Sequence, residues 1–318
     1  MKIVIPGGSG HIGQGLSRHL TNAGHKVVIL SRSGPGIRWD GRTLGAWTRE
    51  INGADAVINL AGKSVNCRYS DAVFRELTAS RVESTKVLGQ AIAESKNPPR
   101  VWLNASTSTI YRHRSDAPND EITGHIEPEP GTPWKWVRSL DIALAWEAEL
   151  EAAPTPRTRK VAMRSAMTMS AIPGSIFDVL CSLCRRGLGG PIAGGGQFVS
   201  WVHEADFCSA VDFLIGREDI SGPVNICSPN PIPQAEFMTI LRETLGVKIG
   251  LPAAKWMAEI GAWAMGTETE LILKSRRVVP TRLLEAGFAF RFPHWREAAA
   301  DLSEGRGAGS EGRGTRGG

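Results

Sequence analysis

The N-terminal segment of this chain constrains its fold more than any other feature. A mostly apolar run at residues 2–6 leads through Gly7, Gly10 and Gly13 directly into a helical segment that carries Leu16. In such a unit the first glycine permits a tight turn, the second lets backbone N–H groups approach a pyrophosphate, and the third lets helix and strand pack closely. The pyrophosphate would then lie at the positive N-terminus of the helix. The segment therefore predicts a dinucleotide-binding unit.

An ATP-type phosphate loop is the alternative for a glycine turn between a strand and a helix. Gly8 and Gly13 have the separation that such a loop requires, but Gln14 and Gly15 stand where Lys and Ser or Thr are needed. The spacing therefore favours a dinucleotide over ATP.

The end of the next strand indicates which dinucleotide is bound. A second apolar run, residues 26–30, ends in Ser31, Arg32 and Ser33. An NAD site has Asp or Glu near this point to accept a hydrogen bond from the ribose 2′-hydroxyl. Arg32 can instead pair with a 2′-phosphate through a charge-assisted fork, and Ser31 or Ser33 can add a hydrogen bond. We therefore predict NADP(H) as the cofactor, the alternative being a solvated arginine at a strand end.

Strand-like and helix-like segments alternate along the chain as far as about residue 170. Further strands are predicted at residues 56–60, 101–105 and 160–163, with helices at 73–93 and 136–152. Repeated units of this length predict an α/β protein with a doubly wound parallel sheet, that is, a Rossmann fold. We expect this domain to span residues 1–170, with parts of residues 197–227 completing the sheet.

The pattern changes in the C-terminal half. Residues 171–302, which include a strand at 198–202 and are mostly helical from 253 onward, are predicted to form a smaller substrate-side region that covers the cofactor cleft. Residues 303–318 are rich in Gly and Arg and are predicted to be disordered, because they cannot bury a core. An RNA-binding role for the arginines of this tail is the less favoured alternative.

Composition limits the possible partners and compartment. The chain has 318 residues, a net charge of +5 and no run of 18 apolar residues, so we expect no membrane span. Its densest basic stretch, residues 274–277, is interpreted as the solvated face of a helix and not as a nucleic-acid site. The N-terminus shows no leader sequence, which predicts a cytoplasmic protein. The oligomeric state cannot be predicted from these features.

Five cysteines fit the reduced thiols of the cytoplasm. Cys181 and Cys184 have the spacing of a redox or metal motif, but no second Cys or His pair accompanies them. Their apolar neighbours recur at helical spacing, so we predict two buried thiols on a helix and no metal site.

A set of motifs distributed over residues 1–302 resembles the atypical extended short-chain dehydrogenase/reductases known as the epimerase family, which carry a short C-terminal domain of unknown function. The motifs are Gly7-x-x-Gly10-x-x-Gly13, Asn59-Leu-Ala-Gly62, Leu188-Gly-Gly-Pro191, Ser200-Trp-Val-His203, Gly222-Pro-Val-Asn225 and Arg282-Leu-Leu-Glu-Ala-Gly-Phe288. The resemblance implies a Rossmann domain, an NADP-type cofactor and a sugar-epimerase-like architecture, but no particular substrate. The expected cofactor contacts are Gly7, Gly10, His11, Ile12, Gly13, Ser31, Arg32, Leu60, Ala61 and Gly62.

The usual proton-handling pair of that superfamily, a Tyr followed four residues later by Lys, is absent from this chain. Tyr69 is followed at position 73 by Val, and Tyr111 is followed at position 115 by Ser. The corresponding helix has Ser139 and Ala143 where the pair would lie. The catalytic acid and base therefore stay unassigned by the motif.

Three other residues are candidates for the chemistry. Ser106 follows a strand end and is expected to position the substrate, the alternative being a simple strand-end hydroxyl. Tyr111 and His203 are candidates for a weak proton relay, and a structural role is the alternative for each.

Two hypotheses about function follow. The first is an NADP(H)-dependent oxidoreductase or epimerase acting on a small carbonyl or sugar-like substrate. The second is a non-catalytic NADP(H)-binding protein that reports redox state, which the missing pair favours because general acid–base help contributes about 10² to 10⁴-fold to rate.

Overall fold

The computed structural model describes residues 1–264 and 270–311. Within these ranges the strands are β1 (Lys2–Pro6), β2 (Lys26–Ser31), β3 (Ile37–Arg38), β4 (Ala56–Asn59), β5 (Val101–Thr107), β6 (Arg159–Ser165), β7 (Met167–Met169), β8 (Phe198–Val199), β9 (Trp201–His203), β10 (Gly222–Ile226) and β11 (Ile232–Pro233). The helices are α1 (His11–Asn22), α2 (Asp71–Ala93), α3 (Trp134–Ala152), α4 (Ile176–Arg185), α5 (Glu204–Gly216), α6 (Gln234–Thr244), α7 (Lys255–Ala264), α8 (Glu270–Leu273), α9 (Thr281–Glu285) and α10 (Trp295–Glu311), with short 3₁₀ helices at Ala46–Glu50 and Ser108–Ile110.

The main sheet has seven strands in the order β3-β2-β1-β4-β5-β6-β10, and all its pairs are parallel. The chain adds strands outward from β1 to β3 and then returns to the other side of β1 with β4. This reversal creates a crevice at the carboxyl ends of β1 and β4, where open α/β sheets bind ligands. The predicted Rossmann fold is confirmed.

The sheet is buried on both faces, which explains its almost continuous apolar strands. On one face Ile5 packs with Leu16 of α1 and Val211 of α5. On the other face Val4 lies in a separate cluster with Trp102 of β5 and residues of α2 and α3. Because side chains alternate along a strand, β1 contributes to both clusters and holds the glycine turn at a fixed place in the core.

The sheet differs from the sequence expectation at residues 198–202. This segment is not one strand: β8 pairs with β11, and β9 pairs with β7, each in a separate two-stranded sheet. The hydroxyl of buried Ser200 between them donates to the carbonyl of Arg276 at 2.7 Å and accepts from the backbone N–H of Val278 at 2.9 Å. These contacts with a distant segment divide the strand, and of residues 197–227 only β10 joins the main sheet.

The interpretation of residues 274–277 as a solvated helix face is wrong. Lys274 and Arg276 are buried, and the segment follows the end of α8 without helical structure. The ammonium of Lys274 donates to the backbone carbonyl of Thr109 at 2.7 Å. Nε of Arg276 donates to the side-chain Oγ1 of the same threonine at 3.3 Å. These bonds join the C-terminal region to the chain that follows β5.

The described part of the C-terminal tail is helical where the sequence predicted disorder. Helix α10 continues through Glu311, so residues 303–311 of the expected disordered tail are helical, while 312–318 lie outside the described residues. Leu302 is buried, and Arg306 forms an ion pair with Asp178 of α4 at 2.5 Å. Because extending an existing helix is much easier than starting one, a packed helix can continue into a glycine-rich segment.

The two buried thiols predicted on a helix are found on α4, where Cys181 and Cys184 are both buried. Burial raises the pKa of Cys184 to about 11, which keeps the thiol protonated. None of the helices in the described part of the chain is long and apolar enough to cross a membrane.

Candidate functional site

The glycine turn between β1 and α1 is shaped by close backbone packing. Gly7 has a φ of +78°, and a Cβ built on it would lie 2.7 Å from the backbone of Leu60. A Cβ on Gly13 would lie 2.6 Å from the backbone of Gly8. The first glycine therefore lets β1 turn against the end of β4, and the third lets α1 pack on the turn.

The N-terminus of α1 provides a site for an anion. Gly10 is the N-cap and offers no side-chain acceptor, and the first turn contains no acidic residue. A Cβ built on Gly10 would meet only the carbonyl oxygen of Gly7, at 3.5 Å, so the space in front of the turn is open. The unsatisfied N–H groups and positive end of the helix dipole can therefore receive a pyrophosphate. These residues fit a dinucleotide.

A cavity of about 640 Å³ lies along the carboxyl ends of β1, β4, β5 and β6. The predicted cofactor residues that line it are Gly7, Gly10, His11, Ile12, Gly13, Leu60, Ala61 and Gly62. Across the cavity its wall includes Ser106 and Ser139, and also Tyr69, Glu270 and Arg276, which the sequence analysis did not identify as site residues. The structure thus brings the glycine turn and a hydroxyl-rich surface to one cavity.

The two remaining predicted cofactor residues lie elsewhere. Arg32 lines a neighbouring cleft of about 590 Å³ together with Arg38 and Arg42. Arg38 reaches this cleft because β3 pairs with β2 in a register that sets it opposite Ser31. The hydroxyl of Ser31 is buried and donates to the carbonyls of Gly34 and Pro35, at 2.8 and 3.0 Å. Its hydrogen is therefore used to hold the loop after β2.

Ser106, the predicted substrate-positioning residue, lines the cavity and is anchored from behind. Its hydroxyl donates to Oε1 of Glu147 at 2.5 Å. Arg164 binds both oxygens of the same carboxylate, at 2.8 and 2.7 Å, and the carboxylate raises the pKa of Arg164 against the opposing effect of burial. This two-bond ion pair fixes the Ser106 hydroxyl, and leaves its lone pairs as acceptors toward the cavity.

Tyr111 is absent from the lining of the described cavity. Its hydroxyl donates to Oδ1 of Asn225 at 2.9 Å and accepts from Nη1 of Arg164 at 3.0 Å. Burial raises its pKa to about 12. A phenol with both partners in the protein interior and a raised pKa is poorly suited to relay a proton, so the geometry favours the structural alternative.

His203 also lies outside the lining of this cavity. Its Nδ1 accepts from the backbone N–H of Ala205 at 3.0 Å, which caps the N-terminus of α5. The ring stacks on Phe292 at 4.0 Å, and Nε2 lies 3.2 Å from Oδ2 of Asp301. Burial lowers the pKa of this imidazole. These contacts join α5 to α10 and again favour a structural role.

The C-terminal region contributes the cavity residues that sequence reasoning missed. Glu270 opens α8 and accepts a 2.6 Å hydrogen bond from the hydroxyl of Ser139, on α3. Arg276 lines the same wall. No local sequence pattern indicated that Glu270 is a site residue. Arg276 belongs to a basic stretch that was interpreted as solvent-exposed, so its burial was not predicted. A distant contact defines each of them.

Comparisons with known proteins agree with the fold. The sequence profile of the NAD dependent epimerase/dehydratase family matches residues 3–227, and that of a domain of unknown function, DUF1731, matches residues 254–302. The epimerase family proteins SDR39U1 of Homo sapiens and Bos taurus are 30% and 32% identical to this chain, and each alignment covers 96% of this chain and 99% of the relative.

Solved structures of epimerase-family proteins are similar in fold to this chain. The crystal structure of human SDR39U1 (isoform 2) with NADPH has a TM-score of 0.82 and 27% identity, and the match covers 96% of this chain and 99% of that one. A nucleoside-diphosphate sugar epimerase from Corynebacterium glutamicum has a TM-score of 0.74 and 25% identity, with 96% of this chain and 58% of that one covered. By its glycine turn, its sheet and these matches, the chain belongs to the NAD dependent epimerase/dehydratase family.

Proposed function

We propose that this protein is an NADP(H)-dependent oxidoreductase that acts on a small carbonyl or sugar-like substrate. The observation that carries the proposal is the position of the cleft with Arg32 and Arg38 beside a glycine turn that fits a pyrophosphate. Gly7, Gly10 and Gly13 would hold the pyrophosphate, and the two guanidinium groups would hold a 2′-phosphate. The bound nicotinamide would supply the hydride.

Further support comes from the relative solved with NADPH, whose fold covers nearly all of this chain. The hydroxyl-rich wall across from the glycine turn gives a substrate oxygen several partners, of which Ser106 is the best anchored. The buried cysteines Cys181, Cys184, Cys208 and Cys227 are reduced thiols, which supports the cytoplasmic compartment that the sequence predicts.

Cofactor choice is tested by replacing Arg32. We expect Arg32→Ala to weaken NADPH binding by about 1.5–3 kcal/mol, or roughly 10- to 150-fold, and to leave NADH binding unchanged, because only NADPH carries the 2′-phosphate. Calorimetry with both cofactors measures this. The control is Arg49→Ala, which removes an exposed arginine that pairs with Glu50 and does not line the cleft. Equal losses for NADPH and NADH would contradict the assignment.

A redox-reporting protein without catalysis is the second candidate. It is favoured by Ser139 and Ala143, which line the cavity at the positions of the usual Tyr and Lys. NADPH oxidation with a panel of aldehydes, ketones and nucleotide sugars separates the two functions. Turnover that Ser106→Ala abolishes supports the enzyme, whereas tight NADPH binding without turnover supports the reporter.

A further inference from the structure

Ser139 and Glu270 form a hydroxyl–carboxylate pair in the wall of the cavity. They are far apart in the chain, one on α3 and the other at the start of α8, yet Oγ of Ser139 donates to Oε2 of Glu270 at 2.6 Å. Both residues line the cavity. A ligand that enters the cavity can therefore meet a hydroxyl whose hydrogen already points at an acid.

On its protein side the carboxylate of Glu270 faces a buried cation. Glu270 is 2% exposed, and its Oε1 lies 3.6 Å from Nζ of Lys274, itself buried. Nζ of Lys274 donates in turn to the carbonyl of Thr109 at 2.7 Å, which fixes the cation. One carboxylate oxygen thus faces a stationary positive charge, and the other receives the Ser139 hydroxyl.

A second serine–glutamate pair in this chain shows which feature is unusual. Ser170 donates to Oε2 of Glu204 with the same 2.6 Å distance. Neither of these residues lines the cavity. The geometry of the hydrogen bond is therefore common to both pairs, and access to a ligand is what distinguishes Ser139 and Glu270.

We propose that Ser139 and Glu270 are the proton-transfer pair of this protein, in place of the absent Tyr and Lys. This inference rests on the proposed oxidoreductase function. A buried acid that accepts from a cavity hydroxyl matches the requirement for a general base acting through a relay, namely hydrogen-bond distance at each transfer. Lys274 is a positioning residue, since it holds the acid and does not line the cavity.

In oxidation, this pair removes the hydroxyl proton of a substrate alcohol. Its O–H bond breaks and the proton passes to Oγ of Ser139, while the proton of Ser139 passes to Oε2 of Glu270, which becomes neutral. The O–H electron pair forms the second bond of the product carbonyl as the C–H bond on the same carbon breaks. The hydride of that C–H bond would pass to oxidised nicotinamide when this cofactor is bound, and would return from the reduced form in the reverse reaction. In reduction, Glu270 begins protonated and gives the proton back through Ser139.

The test uses the full chain with Ser139→Ala and Glu270→Gln, and Ser170→Ala as the matched control. With 1,2-dicarbonyls, aldoses and nucleotide sugars as probes, we expect each cavity variant to lower kcat about 10² to 10⁴-fold, with the double variant no worse than the single ones. NADPH binding, measured by calorimetry, is expected to be unchanged in all three variants. Ser170→Ala is expected to keep full kcat.

A readout independent of turnover is the ¹³C NMR signal of the Glu270 carboxyl, assigned by its loss in Glu270→Gln. Removal of the Ser139 hydroxyl is expected to shift this signal, and removal of the Ser170 hydroxyl is not. An unshifted signal in Ser139→Ala overturns the pair itself.

The remaining outcomes separate this inference from the proposed function. Wild-type turnover that both cavity variants retain overturns the inference and leaves the oxidoreductase standing. Wild-type protein that binds NADPH but oxidises it with no probe overturns both, and favours the reporter.

Discussion

The two ends of the cavity are built in different ways. The dinucleotide end is made of backbone: one short segment, β1 to α1, supplies Gly7, Gly10 and Gly13, and a Cβ added at the first or third of these would meet main-chain atoms. The opposite end is made of side chains, including Ser106 from β5, Ser139 from α3 and others from beyond β10. The first end is therefore specified by local sequence, and the second by how distant segments pack.

This difference predicts how each end responds to mutation. The dinucleotide end, which is built from backbone, has no room for an added side-chain atom, because the main-chain atoms there cannot move apart unless α1 or β4 shifts. The end that is built from side chains depends on networks behind its surface, such as the Ser106–Glu147–Arg164 chain. Damage at one end should leave ligand binding at the other largely intact.

The largest effect is expected from Arg164→Met. Its side chain and that of Glu147 are 8% and 17% exposed, and removal of one partner leaves the other charge uncompensated. We expect a loss of about 3–5 kcal/mol in the free energy of unfolding, measured with urea, without a loss of NADPH affinity. Arg114→Met is the control, because Arg114 binds Asp116 through two similar bonds at the surface and its loss should matter far less. Weakened NADPH binding would show that the two ends are coupled.

A smaller effect is expected from Gly7→Ala, compared with Gly24→Ala. Both glycines have positive φ, +78° and +83°, so each alanine carries about 1–2 kcal/mol of backbone strain. Only at Gly7 does the new Cβ also meet backbone, at 2.7 Å, whereas nothing lies within 4 Å of it at Gly24. We expect a total loss of about 2–4 kcal/mol for Gly7→Ala from the added overpacking, with weaker NADPH binding. Equal losses in urea unfolding would mean that the turn has room to relax.

The smallest effect concerns pH and a residue outside both ends. Burial lowers the pKa of His203 below its ordinary value of 6.5, so the unfolded chain binds more protons between the lowered pKa and 6.5. Stability should therefore rise with pH across this window and reach its full value above it. His203→Asn keeps an acceptor for the α5 N-cap but cannot titrate, so we expect a shallower pH dependence of urea unfolding, with NADPH affinity unchanged. If the free energy of unfolding of His203→Asn depends on pH as steeply as that of the wild type, His203 is not the source of the pH dependence.

The same division explains what the sequence could predict. Periodicity and spaced glycines are local signals, and they sufficed for the parallel sheet, the glycine turn and the buried thiols of α4. The prediction of one strand at residues 198–202 was wrong because Ser200 forms hydrogen bonds with residues 276 and 278. These residues are too far along the chain to influence a local sequence pattern. Glu270 and Arg276 were missed for the same reason, since their burial depends on contacts with Ser139 and Thr109.

The arrangement of the cavity wall also has a consequence for biosynthesis. The seventh strand of the sheet, β10, ends at Ile226, and Glu270 follows only after α6 and α7. During translation the ribosome therefore releases the whole main sheet, including the glycine turn, before it releases Glu270. A nascent chain can therefore complete the glycine turn and the serine-bearing part of the cavity wall before Glu270 is added to it.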